Sequence, residues 1–279
     1  MDINNSKSKL TKFKEKFLWF WHTDNNKVSL VRDILVAFLF VFIILLALWA
    51  YTGQWLGSPM VAIESGSMMH KNEPFGRIGT IDAGDMVFLV KVNSRSDVVT
   101  NIEKGSGNYQ YWDYGDVIVY KPYGDESRDQ IIHRAMAWVE YNEKYDTYTI
   151  EGYGLYNVTT ITIPELGLQG YKCPTSNGAK PHSGYITKGD NNDRADQTDS
   201  YLCDQLIKVE WVSGKARGEL PWIGTLNLLF NDIISGKNTL KNVPCDSITC
   251  LIILIIILIS IPITTDIYFY FKEKKKLKQ

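Results

Sequence analysis

Two long apolar runs bracket this chain. Ile34 to Tyr51 contains no charged residue and approaches the roughly 20 residues that an α-helix needs to cross about 30 Å of hydrocarbon. Ile248 to Phe271 is the second run, rich in Ile and Leu and interrupted by Pro262 and Asp266. Its apolar core is read as Ile248 to Ile263, with Tyr268 and Tyr270 as interfacial aromatics just ahead of a lysine cluster. Asp266 then falls near the membrane face, where a charge costs little. The first run exceeds the roughly 7 to 15 residues of a signal-peptide core, and Leu48-Trp49-Ala50 is a poor small-x-small site. The pattern therefore predicts an uncleaved anchor.

Between the runs the pattern is that of a β protein. Met86 to Val92, Val117 to Tyr120, Thr147 to Ile150 and Leu206 to Val212 are short β-branched and aromatic segments bounded by Gly, Asp or Asn, and each predicts a strand. Residues 93–112 and 157–184 are polar or carry scattered Pro and Gly, and predict inserted surface loops or small subdomains rather than core. From Pro221 to Ile234, Trp222, Ile223, Leu226, Leu229, Phe230 and Ile233 recur at helical spacing. Such a helix either packs on the domain or lies on a lipid surface.

Composition adds sidedness. A chain of 279 residues, 45% hydrophobic, can bury one good-sized core. Net charge is −1, and no nucleic-acid partner is expected. Lysines cluster before the first run (Lys7 to Lys27) and after the last (Lys272 to Lys278), which predicts cytoplasmic termini. The resulting division is a basic segment 1–33, a span 34–51, an exported domain 52–247, a span 248–271 and a basic tail 272–279. The cysteines, Cys173, Cys203, Cys245 and Cys250, lack metal-type spacing. Cys173 and Cys203 both fall in the exported segment, where pairing is permitted. Asn157-Val158-Thr159 is an N-glycosylation sequon on the same side.

Candidate chemistry is ordered along this exported segment. Ser65-Gly66-Ser67-Met68 follows shortly after the first run. Gly115-Asp116-Val117-Ile118-Val119-Tyr120 precedes Ile131-Ile132-His133-Arg134, and Thr187-Lys188-Gly189-Asp190-Asn191-Asn192 precedes Asp196. Ser, His and Asp arrive in that order, the residue types that nucleophilic acyl transfer requires. Together with Gly214 to Gly218 and Pro221-Trp222-Ile223-Gly224, these blocks resemble those of type I signal peptidases. The resemblance favours the archaeal and endoplasmic-reticulum branch, which carries His where the bacterial branch carries Lys. One departure stands out: the family usually continues Ser-Met with one residue and Pro, whereas here Met68-Met69-His70 follows and Pro74 comes later.

The resemblance implies a mainly β, antiparallel catalytic domain anchored by N- and C-terminal transmembrane helices. It implies Ser67 as nucleophile, His133 as general base and Ser65 as a hydroxyl donor to the oxyanion. Asp190 and Asp196 compete to orient His133, the later aspartate matching the third triad member and the earlier one a second supporting acid. Ile63, Met68, Ile131 and Ile132 match positions that line the substrate cleft and would select small side chains before the cut. No metal or organic cofactor is implied. The implied activity is removal of signal peptides from secretory preproteins at the outer face of a lipid bilayer, in the plasma membrane of an archaeon, in the company of the secretion translocon. A related membrane protease with regulatory substrates and an inactive scaffold subunit are the alternatives.

Overall fold

The computed structural model describes residues 3–23, 25–55, 57–70, 78–103, 108–175 and 179–276. Pro74 lies outside them. The chain divides into two units, Met1–Trp55 and Leu56–Gln279. The first holds α1 (Ile3–His22) and α2 (Asn26–Thr52). Asn25 caps α2 by accepting from the Lys27 N–H at 3.0 Å, and Gly53 ends it in the left-handed region at φ 68°, a conformation that glycine adopts without steric cost. The predicted span 34–51 is thus the inner part of a longer helix. Helix α1 was not signalled by the apolar pattern, because its residues are largely polar.

The second unit is mainly antiparallel sheet. Strands β1 (Met60–Ala62), β2 (Met86–Val90), β3 (Tyr109–Gln110), β4 (Asp113–Tyr114), β5 (Val117–Tyr120) and β6 (Ile131–Asn142) come first. Next are β7 (Thr147–Ile150), β8 (Leu155–Val158), β9 (Ile161–Ile163), β10 (Leu168–Tyr171), β11 (Gly184–Lys188) and β12 (Val212–Leu220). The eight-stranded main sheet runs β1-β2-β12-β5-β6-β7-β8, with β11 also paired to β6. Helices α3 (Gly224–Ser235) and α4 (Cys245–Lys276) close the chain.

Strand β6 organises the unit. It pairs with β5 over Ile131–Arg134, with β11 from Arg134 to Val139, and with β7 beyond Glu140. One core cluster gathers Val139, Tyr148, Ile150 and Ile186; another gathers Ile63, Met68, Val87, Leu89 and Val117. Residues 157–184 contribute to the first of these: Ile161, Ile163, Leu166, Leu168 and Cys173 are buried in it. The segment expected as a surface loop or small subdomain outside the core instead supplies a hairpin that shares the core, because each buried Ile or Leu contributes roughly 1.5–3 kcal/mol by leaving water. Cys173 and Cys203 are both buried free thiols.

Leu206 to Val212 does not form the predicted strand. Ile207 makes a single bridge to Tyr185, and the chain then turns through one 3₁₀ turn, Val209–Trp211. The strand is the glycine-bearing Val212–Leu220, held between β2 and β5. Glycine lowers intrinsic strand propensity, but pairing on both edges overrides it.

Both terminal-side helices are long and apolar enough to cross a membrane: Asn26–Thr52 and Cys245–Lys272. Large side chains such as Phe38 on the first (71% exposed) and Leu258 on the second (58%) are exposed. Pro262 lies inside α4, which continues through it.

Candidate active site

The site is assembled where β5, β6 and β11 meet the turn after β1. Ser67 sits in a tight turn in which the Met69 N–H donates to the Gly66 carbonyl at 3.2 Å. His133 lies on β6 and is 2% exposed. Its Nε2 is 2.9 Å from Ser67 Oγ, and its Nδ1 is 2.7 Å from Asp196 Oδ2. A carboxylate only accepts, so Nδ1 carries the proton, leaving Nε2 to accept from the serine hydroxyl. Ser65 Oγ is 3.2 Å from Ser67 Oγ.

Asp196 is fully buried. Tyr120 and Thr187 each donate a hydroxyl to its Oδ2 at 2.7 Å, while Oδ1 has no hydrogen-bond partner among the described residues. Burial, followed by the charge of Asp196, holds the Tyr120 hydroxyl well above its ordinary pKa, so it stays a donor. A carboxylate so poorly solvated stabilises a positive charge forming on the adjacent imidazole more strongly than one in water would. Neither Tyr120 nor Thr187 carried a sequence signal for this contact, although both sit in the quoted blocks.

Asp190 takes a different place. Arg134, next to His133 but facing the other side of β6, donates Nε to Asp190 Oδ1 at 2.8 Å and Nη2 to Oδ2 at 2.5 Å. His70 Nε2 is 2.9 Å from the same Oδ2. Burial alone would raise the Asp190 pKa, but the bonds from Arg134 and His70 outweigh it and hold the carboxyl below its ordinary value. Arg134 is itself fully buried and also donates to the carbonyls of Gln110, Tyr111 and Gly115 at 3.1, 3.0 and 2.8 Å. It thereby fastens the turn between β3 and β4, whose central residues Tyr111 and Trp112 have φ of 51° and 67°. Non-glycine residues enter that region only at a cost.

The turn after β11 touches the nucleophile directly. Asn191 N–H donates to the Ser67 carbonyl at 2.8 Å, and Asn191 Nδ2 donates to the Gly66 carbonyl at 3.0 Å. The neighbouring acids Asp193 and Asp199 are exposed.

A cleft of about 660 Å³ opens over Ser67 and His133. Ile63, Ile131 and Ile132 line it together with Val61, Val119 and Ser65. Met68 does not: it is 1% exposed and packs into the core beneath. Among the described residues no cluster of His, Cys, Asp and Glu is arranged to hold a metal ion. Comparison of the chain with protein-family models and with curated proteins finds no match.

Proposed function

We propose that this chain is a two-pass membrane serine endopeptidase of the type I signal peptidase kind, archaeal and endoplasmic-reticulum branch, which removes signal peptides from exported preproteins. The observation that carries this reading is the unbroken series Ser67 Oγ, His133 Nε2, His133 Nδ1, Asp196 Oδ2, with links of 2.9 and 2.7 Å, beside an open cleft. Asp196 takes the orienting role, and Asp190 supports the turn that meets the nucleophile.

The chemistry follows from the donors and acceptors. Ser67 Oγ attacks the scissile carbonyl carbon as His133 Nε2 takes its proton. The oxygen that becomes negative is met by the Ser65 hydroxyl and the Ser67 backbone N–H. The carbon–nitrogen bond then breaks, His133 returns the proton to the leaving amine, and an ester remains on Ser67. Water hydrolyses that ester with His133 again as base. A substrate lies extended between Val61–Glu64 and Gln130–His133, both of which border the cleft. Ile63, Val119, Ile131 and Ile132 narrow it and favour small side chains before the cut. The lysine clusters beyond both spans support cytoplasmic termini and a cleft outside; on this reading the protein sits in the plasma membrane of an archaeon, where the translocon delivers preproteins.

The test is direct. Full-length protein in detergent is incubated with a preprotein, and the new N-terminus is sequenced. Cleavage after a small residue, absent in Ser67→Ala, is expected. Failure of the folded parent chain to cut any signal-bearing preprotein would reject the activity in favour of a scaffold role.

A further inference from the structure

Helix α3 turns its apolar side away from the protein. At about 100° per residue, Leu226, Leu229, Phe230, Ile233 and Ile234 fall within an arc of about 140°, and they are 37%, 40%, 63%, 71% and 84% exposed. Leu228, on the opposite side, is the residue that packs, against Ala83 and Val243. The helix thus carries a continuous apolar face that no described residue of its own unit covers, larger than scattered surface hydrophobics explain.

We propose that α3 docks on the bilayer surface, its outward face buried among headgroups and the first acyl carbons, and so fixes the height of the Ser67 cleft above the membrane. The inference rests on the membrane-spanning reading of α4, and not on the peptidase chemistry. Three observations favour lipid as the occupant. Only the link 236–244 separates α3 from α4, and Leu228, Val243 and Ile248 share one cluster, so α3 lies where α4 leaves the protein. Along α4, Leu251 is buried at 5% and Leu254 and Ile255 are half-buried, whereas every residue from Ile256 to Phe271 is exposed, which locates that exit. Lys237 and Lys241 on the link are exposed and suit anionic headgroups.

Hydrogen bonds tie the docked face to the cleft. Thr225 N–H donates to the Gly84 carbonyl at 2.8 Å, and Gly84 N–H donates to the Ile63 carbonyl at 2.9 Å. Asn242 Nδ2 donates to the Glu64 carbonyl at 2.9 Å, next to Ser65. Thr239 and Leu240 N–H groups donate to Asp232 at 2.9 and 3.0 Å, tying the link back onto α3. A helix seated in lipid therefore sets the position of the strand that leads to the nucleophile.

The experiment uses the full chain in nanodiscs of phosphatidylcholine and phosphatidylglycerol. Cys245→Ser and Cys250→Ala remove the accessible thiols, since Cys173 and Cys203 are buried. A nitroxide at Ile234→Cys should collide with oxygen more than with a water-soluble nickel chelate, as should one at Ile257→Cys on α4, whereas one at Tyr156→Cys on β8 should show the reverse. Adding Phe230→Ser with Ile233→Ser should move the Ile234 label toward the nickel side while the Tyr156 spectrum stays unchanged. Free access of nickel to position 234 in the unsubstituted helix would overturn the proposal, and so would shielding from both reagents, which would mean a protein cover. Nickel access at position 257 would overturn the membrane reading and this inference with it. No proteolysis is read, so a chain that cuts nothing still answers the question.

Discussion

A methyl group at Gly189 should disable the site without unfolding the protein. A Cβ there would lie 2.6 Å from the Ser67 carbonyl oxygen, 2.8 Å from Asn192 Nδ2 and 2.9 Å from His133 Nε2. Ordinary contact begins near 3.4 Å, so the nucleophile loop must retreat by about 0.8 Å or the imidazole must swing away. The backbone at Gly189 is not in the left-handed region, so Gly189→Ala acts through space and not through backbone strain. A misplacement on the order of 1 Å costs on the order of 10²-fold in rate, equivalent to about 2.7 kcal/mol of transition-state stabilisation. Overpacking of this size lowers stability by only about 1–3 kcal/mol. Single-turnover cleavage of a preprotein by Gly189→Ala should therefore fall about 100-fold with a cooperative melt retained and KM little changed. A rate within threefold of the parent would refute the claim that Gly189 clears the space for Ser67 and His133.

Ser67→Ala and His133→Ala should each lower turnover by about 10⁴-fold or more, and His133→Lys should not rescue it, because an ammonium there keeps its proton; preprotein cleavage reads all three. Asp196→Asn should lose most of the rate with little change in KM, whereas Asp190→Asn leaves the buried Arg134 charge unpaired and should cost stability by about 3–5 kcal/mol; turnover and melting temperature measured together separate the two. Burial raises the Asp85 pKa from 3.8 to about 8, so between those values unfolding releases a proton and stability falls as pH rises toward 8. Glu219, raised to about 7, acts in the same direction. Urea midpoints from pH 5 to 9 should decline for the parent and less steeply for Asp85→Asn; equal slopes would contradict this account.

Much of this architecture is legible in residue order. The apolar runs foretell α2 and α4 because a span needs only length and hydrophobicity, and Val117–Tyr120 and Thr147–Ile150 are strands at the expected residues. Ser67, His133 and Asp196 are brought into one hydrogen-bonded series; the family resemblance favours Asp196 for the third place, but the residues themselves leave Asp190 in competition. Both acids lie within a few residues, and only folding shows which one Arg134 occupies. The strand misplaced to Leu206–Val212 shows how a glycine-rich segment gains its conformation from neighbours that local propensity does not register. Helix α3 shows a related limit: periodicity reveals a stripe but not which way the stripe faces. Tyr120 and Thr187 on Asp196 are legible only in three dimensions, since a hydroxyl in a strand has no signature of its partner.

The contacts that build the site also date its appearance during synthesis. Ser67 and His133 are 66 residues apart, His133 and Asp196 are 63, and Arg134 and Asp190 are 56. No nascent chain ending before Asp196 contains the constellation, however well β1 to β6 have folded. Loops this long close late, because the entropy of bringing distant segments together precedes any reward. A ribosome that has completed α2 and most of the sheet still carries a chain without a formed site, and the last of the three residues arrives with α4 still to be made.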